Sequence, residues 1–212
     1  MTRPVFLDLD NTLIDNDAAK AALRERIAAA VPPAVAARFW ELYDIVRADE
    51  DYVDFPVTVR RLSGTDPDDG ARISRILDDL PYRDFVHAGA FELIDRLWRS
   101  WTPVILSDGD PVFQPRKIER SGLAAAVRGN VLVYAHKEQH LAELALRFPG
   151  PDPVFADDKA AILGHIERAL PDAITVHVRQ GSYGRLPAEP GDPVPDLEIE
   201  RIADLDWVIA GR

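Results

Sequence analysis

With 212 residues, 47% of them hydrophobic, the chain is long enough to bury a full core in one large domain, or in a domain carrying a smaller insertion. A formal net charge of -11, with no block of clustered Lys and Arg, excludes a phosphate-backbone binder and makes a small substrate the better fit than nucleic acid. The absence of cysteine excludes disulfides, thiolate zinc sites and a cysteine nucleophile.

The first feature in chain order is "PVFLDLDNTLI", residues 4–14. Residues 4–9 are a short, mostly apolar segment followed by turn formers, the pattern of a strand buried on both faces of a parallel sheet. Its apolar part is about five residues long before Asp8 interrupts it, far short of a signal-peptide core or the roughly 20 residues of a membrane span. A cytoplasmic location with no membrane partner is therefore expected.

From about residue 16 to 85 the apolar residues recur at helical spacing. Ala18, Ala22, Ile27 and Val31 mark one helix, and Phe39, Leu42, Tyr43 and Val46 a second, with "VPP" breaking the chain between them. A third is expected near 54–63 and a fourth near 70–80. Beyond them come "PVILS" (103–107), "NVLVYA" (130–135), "PVFA" (153–156) and "AITVHV" (173–178), alternating with amphipathic segments at 88–100, 112–121, 137–148 and 158–169. Such alternation predicts right-handed crossovers and an α/β fold, a Rossmann-like three-layer open parallel sheet. Residues 185–198 read as a Pro-rich surface loop, and "DLDWVIA" (204–210) as a last edge strand. The expected organisation is a core of residues 1–15 and 86–212, with residues 16–85 as a helical cap inserted after the first strand.

In open α/β sheets ligands collect outside the carboxyl ends of the strands. The expected strands end in Asp8 with Asp10, Ser107 with Asp108, Lys137, and Asp157 with Asp158. Carboxylates meeting at one edge repel unless a cation sits among them, and oxygen ligands of this kind suit Mg²⁺. A lysine and a hydroxyl beside such a metal point to an anion with several oxygens, of which phosphate is the obvious candidate. The chain has four lysines, at 20, 117, 137 and 159, against 21 arginines among its 25 basic residues, so a lysine at a strand end is a compact charge in a chosen place. Lys117 falls mid-helix and is expected to be solvated.

"FLDLDNTL", "VILSDGD", Lys137 and "VFADD", in that order, resemble the four motifs of the haloacid dehalogenase (HAD) superfamily. The resemblance implies that Asp8 attacks phosphorus to form an aspartyl-phosphate and that Asp10 acts as the proton-transfer group. Phosphate binding would fall to Ser107, the backbone N–H of Asp108, Lys137 and Asn11. Mg²⁺ would be held by Asp8, the backbone carbonyl of Asp10, and Asp157, with Asp158 either a further ligand or an orienter of Lys137. The helical insertion resembles a C1-type cap that excludes water. The second motif departs from the common Ser/Thr-Asn-Gly by carrying Asp108, and the fourth is of the adjacent-pair form because residue 161 is Ala161.

The implied activity is a Mg²⁺-dependent phosphatase acting on a small phosphorylated metabolite. A phosphomutase shares the two aspartates, and a dehalogenase has no need of an acid at the position of Asp10. A phosphonate hydrolase would need a cap lysine, for which Lys20 is the only candidate. In another class, a non-catalytic phospho-switch holds its acceptor on a middle strand and needs no insertion. His136 and His140 are expected on the surface or in packing. Trp40 and Tyr43 are read as core before pocket, Arg47, Arg60 and Arg61 as a solvated face before a grip on an anionic substrate tail, and Arg179 and Tyr183 as minor candidates for the mouth of the site.

Overall fold

The computed structural model describes residues 3–50, 52–187 and 194–210. Six parallel strands form one sheet in the order β3-β2-β1-β4-β5-β6: β1 (Arg3–Leu7), β2 (Trp101–Asp108), β3 (Val131–Tyr134), β4 (Val154–Asp157), β5 (Ile174–Val178) and β6 (Leu197–Ile199). The helices between them, in chain order, are α1 (Asn16–Ala30), α2 (Pro33–Glu50), α3 (Phe55–Ser63), α4 (Pro67–Asp78), α5 (Ala90–Leu97), α6 (Phe113–Ser121), α7 (Leu123–Ala126), α8 (Leu141–Arg147), α9 (Ala160–Ala169), α10 (Gly181–Gly184) and α11 (Leu205–Ile209).

The alternation of side chains along each strand explains the three layers. In β1, Val5 and Leu7 join a cluster with Leu93, Ile118 and Ile202 on one face of the sheet, while Phe6 joins Leu144, Phe155 and Leu163 on the other. Phe6 stacks on Phe155 at 4.6 Å between ring centroids, locking β1 to β4 across the pleat. Both faces are covered by helices, which is why these strands read as continuous apolar runs.

α1 to α4 and the 3₁₀ turn Tyr82–Phe85 lie between β1 and β2 in the chain and build a cluster of their own around Phe39, Leu62 and Ile73. Phe113 of α6 joins this cluster and stacks edge-on with Phe55 at 4.8 Å, which fastens the helical layer to the sheet domain. α3 starts sharply because the Asp54 carboxylate caps the Val57 N–H at 2.7 Å, with a proline early in the helix. Among the described residues no helix is long and apolar enough to cross a membrane.

Three expectations change. The buried stripe of α1 is Ala19, Leu23 and Ile27, and Ala18 is exposed. Residues 204–210 are not a strand: Ile202, Leu205 and Ile209 are buried at helical spacing and Trp207 is 79% exposed, so the period is that of α11. The edge strand is β6, inside the stretch read as a Pro-rich loop, where the Asp196 carboxylate accepts hydrogen bonds from the Thr175 N–H (2.9 Å) and hydroxyl (3.0 Å). Residues 188–193 of that loop lie outside the described residues.

Candidate active site

β1 is central, and the chain leaves it through a tight turn. The Leu13 and Ile14 N–H groups both donate to the Leu9 carbonyl at 2.9 Å, and Asn11 sits at φ 64, a left-handed conformation that asparagine tolerates. The turn sets Asp8 and Asp10 at the carboxyl edge of the sheet. Asp8 is held there by its N–H, which donates to the Ala156 carbonyl of β4 at 2.9 Å.

Lys137, in the 3₁₀ turn after β3, reaches under this edge and is 2% exposed. Its Nζ donates to Asp8 Oδ1 and lies 2.6 Å from Asp157 Oδ2 as well. Burial works to lower the pKa of such an ammonium, but Asp157, Asp8 and Asp108 outweigh it and hold Lys137 well above the ordinary lysine value. Burial pushes the Asp8 carboxyl up to about 7 against the pull of Lys137, and pushes Asp158 up to about 9 with the help of Asp8 and Asp157. Asp8, Asp157 and Asp158 each offer a carboxylate oxygen, all within 4.8 Å of one another.

The second carboxylate of the first turn faces elsewhere. Asp10 accepts a hydrogen bond from Gln114 Nε2 at 3.1 Å and a closer one from Lys117 Nζ, both on α6. Lys117 also donates to Asn16 Oδ1 at 2.7 Å, at the start of α1. It is 4% exposed, so the mid-helix lysine expected in solvent is in fact clamped between sheet domain and helical layer. The Ser107 hydroxyl, at the end of β2, accepts from Gln114 Nε2 at 2.9 Å. The Asp108 carboxylate accepts the backbone N–H of Lys137 at 2.9 Å and lies 4.0 Å from both Lys137 Nζ and Lys159 Nζ, which oppose its negative charge. Above these groups is a cavity of about 430 Å³, with Asp10, Asp108 and Asp158 on the sheet side and Lys20, Tyr43 and Arg47 on the side of the helical layer.

A solved haloacid dehalogenase-like hydrolase of Burkholderia xenovorans is 38% identical to this chain, covers 100% of it and 98% of its own length, and superposes with a TM-score of 0.91. The chain belongs to the haloacid dehalogenase-like hydrolases. The HAD-hydrolase YfnB of Bacillus subtilis, solved bound to magnesium, matches over 98% of both chains at 18% identity and a TM-score of 0.65. An L-2-haloacid dehalogenase of Xanthobacter autotrophicus with chloropropionic acid covalently bound matches over 100% of this chain and 99% of its own at 15% identity and a TM-score of 0.66. These two share its fold. No protein-family model and no curated protein matches the chain.

HAD-like hydrolases commonly hold a divalent cation, and the residues here fit one. Both oxygens of Asp158 are buried with no hydrogen-bond partner, an arrangement that a cation among the three carboxylates would resolve. The Asp10 carboxylate is not in that group, so only its backbone carbonyl is left for the metal role the family implies. Asn11 lines the cavity beside Asp10, and its polar groups are also used within the turn. Its N–H donates to the Ile14 carbonyl at 2.7 Å, and its side-chain carbonyl accepts from the Asp17 N–H at 3.2 Å. It works as a joint, packed so closely on Gly181 that a Cβ there would lie 2.3 Å from its own.

Lys117 and Lys20 of this HAD-like site escaped the sequence reading as cavity residues. Lys117 follows Phe113 by four positions and precedes Ser121 by four, the buried face of α6, and that spacing was the available signal. Lys20, Arg47 and Tyr183 line the cavity, whereas Arg60 and Arg61 do not, and Arg61 pairs with Asp49 at 3.1 Å on the surface. Arg179 pairs with Glu198 at 3.6 Å on the sheet edge, away from the cavity. His136 lines the cavity edge-on to Tyr52 at 6.4 Å, and His140 stacks on Tyr134 at 4.0 Å.

Proposed function

We propose that the protein is a Mg²⁺-dependent phosphatase that hydrolyses a small phosphorylated metabolite through an aspartyl-phosphate on Asp8. The observation that carries this reading is the second carboxylate, Asp10, on the cavity wall two residues beyond the nucleophile and fixed in direction by Gln114 and Lys117. Displacement of halide from carbon expels an anion that needs no proton, whereas expulsion of an alkoxide from phosphorus does.

In the first step an Asp8 oxygen bonds to phosphorus, the ester P–O bond breaks, and Asp10 delivers a proton to the departing alkoxide. In the second, Asp10 takes a proton from water, the water oxygen bonds to phosphorus, and the aspartyl P–O bond breaks to give inorganic phosphate and Asp8. Lys137 stabilises the negative charge on Asp8 and on the phosphoryl oxygens, and the Ser107 hydroxyl, which donates to the Asp108 carbonyl at 3.2 Å, would turn its proton to one of them. Asp8, Asp157 and Asp158 would hold Mg²⁺, which supplies further neutralisation of phosphoryl charge.

The test is release of phosphate from an aryl phosphate by purified protein with Mg²⁺, set beside release of chloride from 2-chloropropionate. Phosphate release that a chelator stops and Mg²⁺ restores is expected. Chloride release without phosphate release would replace the phosphatase by a dehalogenase.

A further inference from the structure

All four lysines of the chain are gathered at this site: Lys137 beneath the carboxylates, and Lys20, Lys117 and Lys159 on the cavity wall with Arg47. Three of the five cations have work on the sheet side. Lys137 neutralises Asp8 and Asp157, Lys117 holds Asp10, and Lys159 faces Asp108 at 4.0 Å. Lys20 of α1 and Arg47 of α2 differ, because among the described residues neither has an ion-pair partner. Lys20 Nζ donates to the Tyr43 hydroxyl at 3.1 Å and lies 4.4 Å from the centre of that ring. Arg47 donates to the Tyr183 hydroxyl at 2.8 Å. A neutral phenol oxygen satisfies a donor without cancelling its charge, so the half-buried Lys20 and the more exposed Arg47 put two positive charges on one wall of the cavity with no carboxylate in direct contact; Asp44 acts on both only from a distance.

The surroundings keep them in that state. Tyr43 is buried in the helical layer and fixes the Lys20 head. Asp17 is the carboxylate one turn before Lys20, but both of its oxygens are engaged by the next segment: the Ser182 N–H at 2.7 Å and the Ser182 hydroxyl at 3.1 Å. Those two bonds dock α10 on α1 and carry Tyr183 to Arg47. Burial, then Arg24 and Arg47, lower the Lys20 pKa, and only Asp44 and Tyr183 oppose them. Two like charges held together this way favour an anion between them.

We propose that Lys20 and Arg47 form a second anion subsite, which selects phosphate esters whose other end carries a carboxylate or a second phosphate. This rests on the phosphatase reading and names its substrate class: a small metabolite with an ester phosphate over Asp8 and a further anionic group against α1 and α2. A cavity of about 430 Å³ is in the range for such a molecule.

The experiment compares kcat/KM for three probes: glycerol 3-phosphate with a neutral tail, 3-phosphoglycerate with a carboxylate tail, and 1,3-propanediol bisphosphate with a phosphate tail. The wild type is expected to prefer the anionic tails roughly ten- to a hundredfold, the range that one or two charge-assisted hydrogen bonds give, and the better of the two identifies the second anion. In Lys20→Met and Arg47→Ala the ratio falls towards one through a rise in KM for the anionic probes, and Arg47→Lys keeps part of it. Equal turnover of all three probes by the wild type, or a preference that survives in both variants, overturns the subsite and leaves the phosphatase standing. No turnover of any probe overturns both.

Discussion

The sheet edge and the helical layer above it meet at the same cavity, yet they are built on different rules. At the edge, Asp8, Ser107, Asp108 and Asp157 are the last residues of strands or the first beyond them, so their position in the sequence alone decides where they arrive. In the layer, Ile27, Phe39, Leu62 and Ile73 bury themselves against other helices, while Ala19, Leu23, Tyr43 and Phe55 of the same buried cluster also line the cavity, next to Lys20 and Arg47. The reacting groups of this fold are placed by the backbone, whereas the groups that meet the rest of the substrate are placed by how one layer docks on another.

The sharpest way to break the comparison is at the edge. Asp8→Asn keeps the size of the side chain and removes the nucleophile, and a loss on the order of 10⁴-fold or more in phosphate release is expected, with near-native thermal stability. Turnover within tenfold of wild type would end the assignment of Asp8. In the layer the largest effect is on stability instead. Phe39 is fully buried and stacks with Trp40 and Phe55, so Phe39→Ala is expected to cost about 3–5 kcal/mol in denaturant unfolding. A loss below about 1 kcal/mol would mean that the layer adds little to the folded state.

Lys117 tests the contact between the two regions, since it binds Asp10 on one side and Asn16 on the other. Lys117→Met preserves most of its volume and is expected to lower kcat roughly ten- to a hundredfold by leaving Asp10 loosely held. A change confined to melting temperature would show that the lysine only fastens the layers together.

The pH dependence sharpens the same contrast. Asp8 and Asp158 have folded-state pKa values raised to about 7 and about 9 from 3.8, so between those limits the folded protein binds more protons than the unfolded chain. In chelator, stability is therefore expected to fall as pH rises from about 4 to 9 in a melting series. Lys137, raised above its ordinary value, contributes evenly across that window and does not alter the slope. Asp158→Asn should flatten the curve, as should Mg²⁺; a slope unchanged by either would remove Asp158 from the metal site. The smallest effect belongs to Arg61, whose pairing with Asp49 is exposed. Arg61→Ala should change stability by less than about 0.5 kcal/mol and leave activity as it was, in contrast to Arg47 fourteen positions earlier on the same layer.

How much could be read beforehand follows the same division. The apolar runs ending in Asp8, Ser107 and Asp157 disclosed strand, edge and chemistry together, because a buried parallel strand has few other ways to be written. The helical layer was legible as helices, down to the buried Phe39, Leu42, Tyr43 and Val46 of α2. Lys117 and Lys20 were not, and Arg47 could not be told from Arg60 and Arg61 as a grip on an anionic tail, because a charged residue on an amphipathic helix has the same spacing whether it meets water or another layer. Asn11 was legible as a residue of the first motif, but its bonds within the turn and to Asp17 were not, because they depend on where α1 starts. The edge strand β6 was hidden because three residues, Leu197–Ile199, carry too little pattern, while α11 was mistaken for a strand because its five residues are mostly apolar.

The pairing of β1 with β4 sets a ruler for the site. Leu7 stands opposite Ala156, so the next rung places Asp8 beside Asp157, and neighbouring strands are roughly 4.8 Å apart wherever a sheet exists. Two carboxylates on one rung of adjacent strands are then separated by about the width of one bridging cation, and Lys137 needs only to reach that gap from below. The dimension that matters for chemistry is thus fixed by backbone hydrogen bonding, and loops may lengthen or helices be exchanged without altering it. Loss or gain of a single residue within β4 would instead turn Asp157 to the opposite face and leave Asp8 without its neighbouring carboxylate.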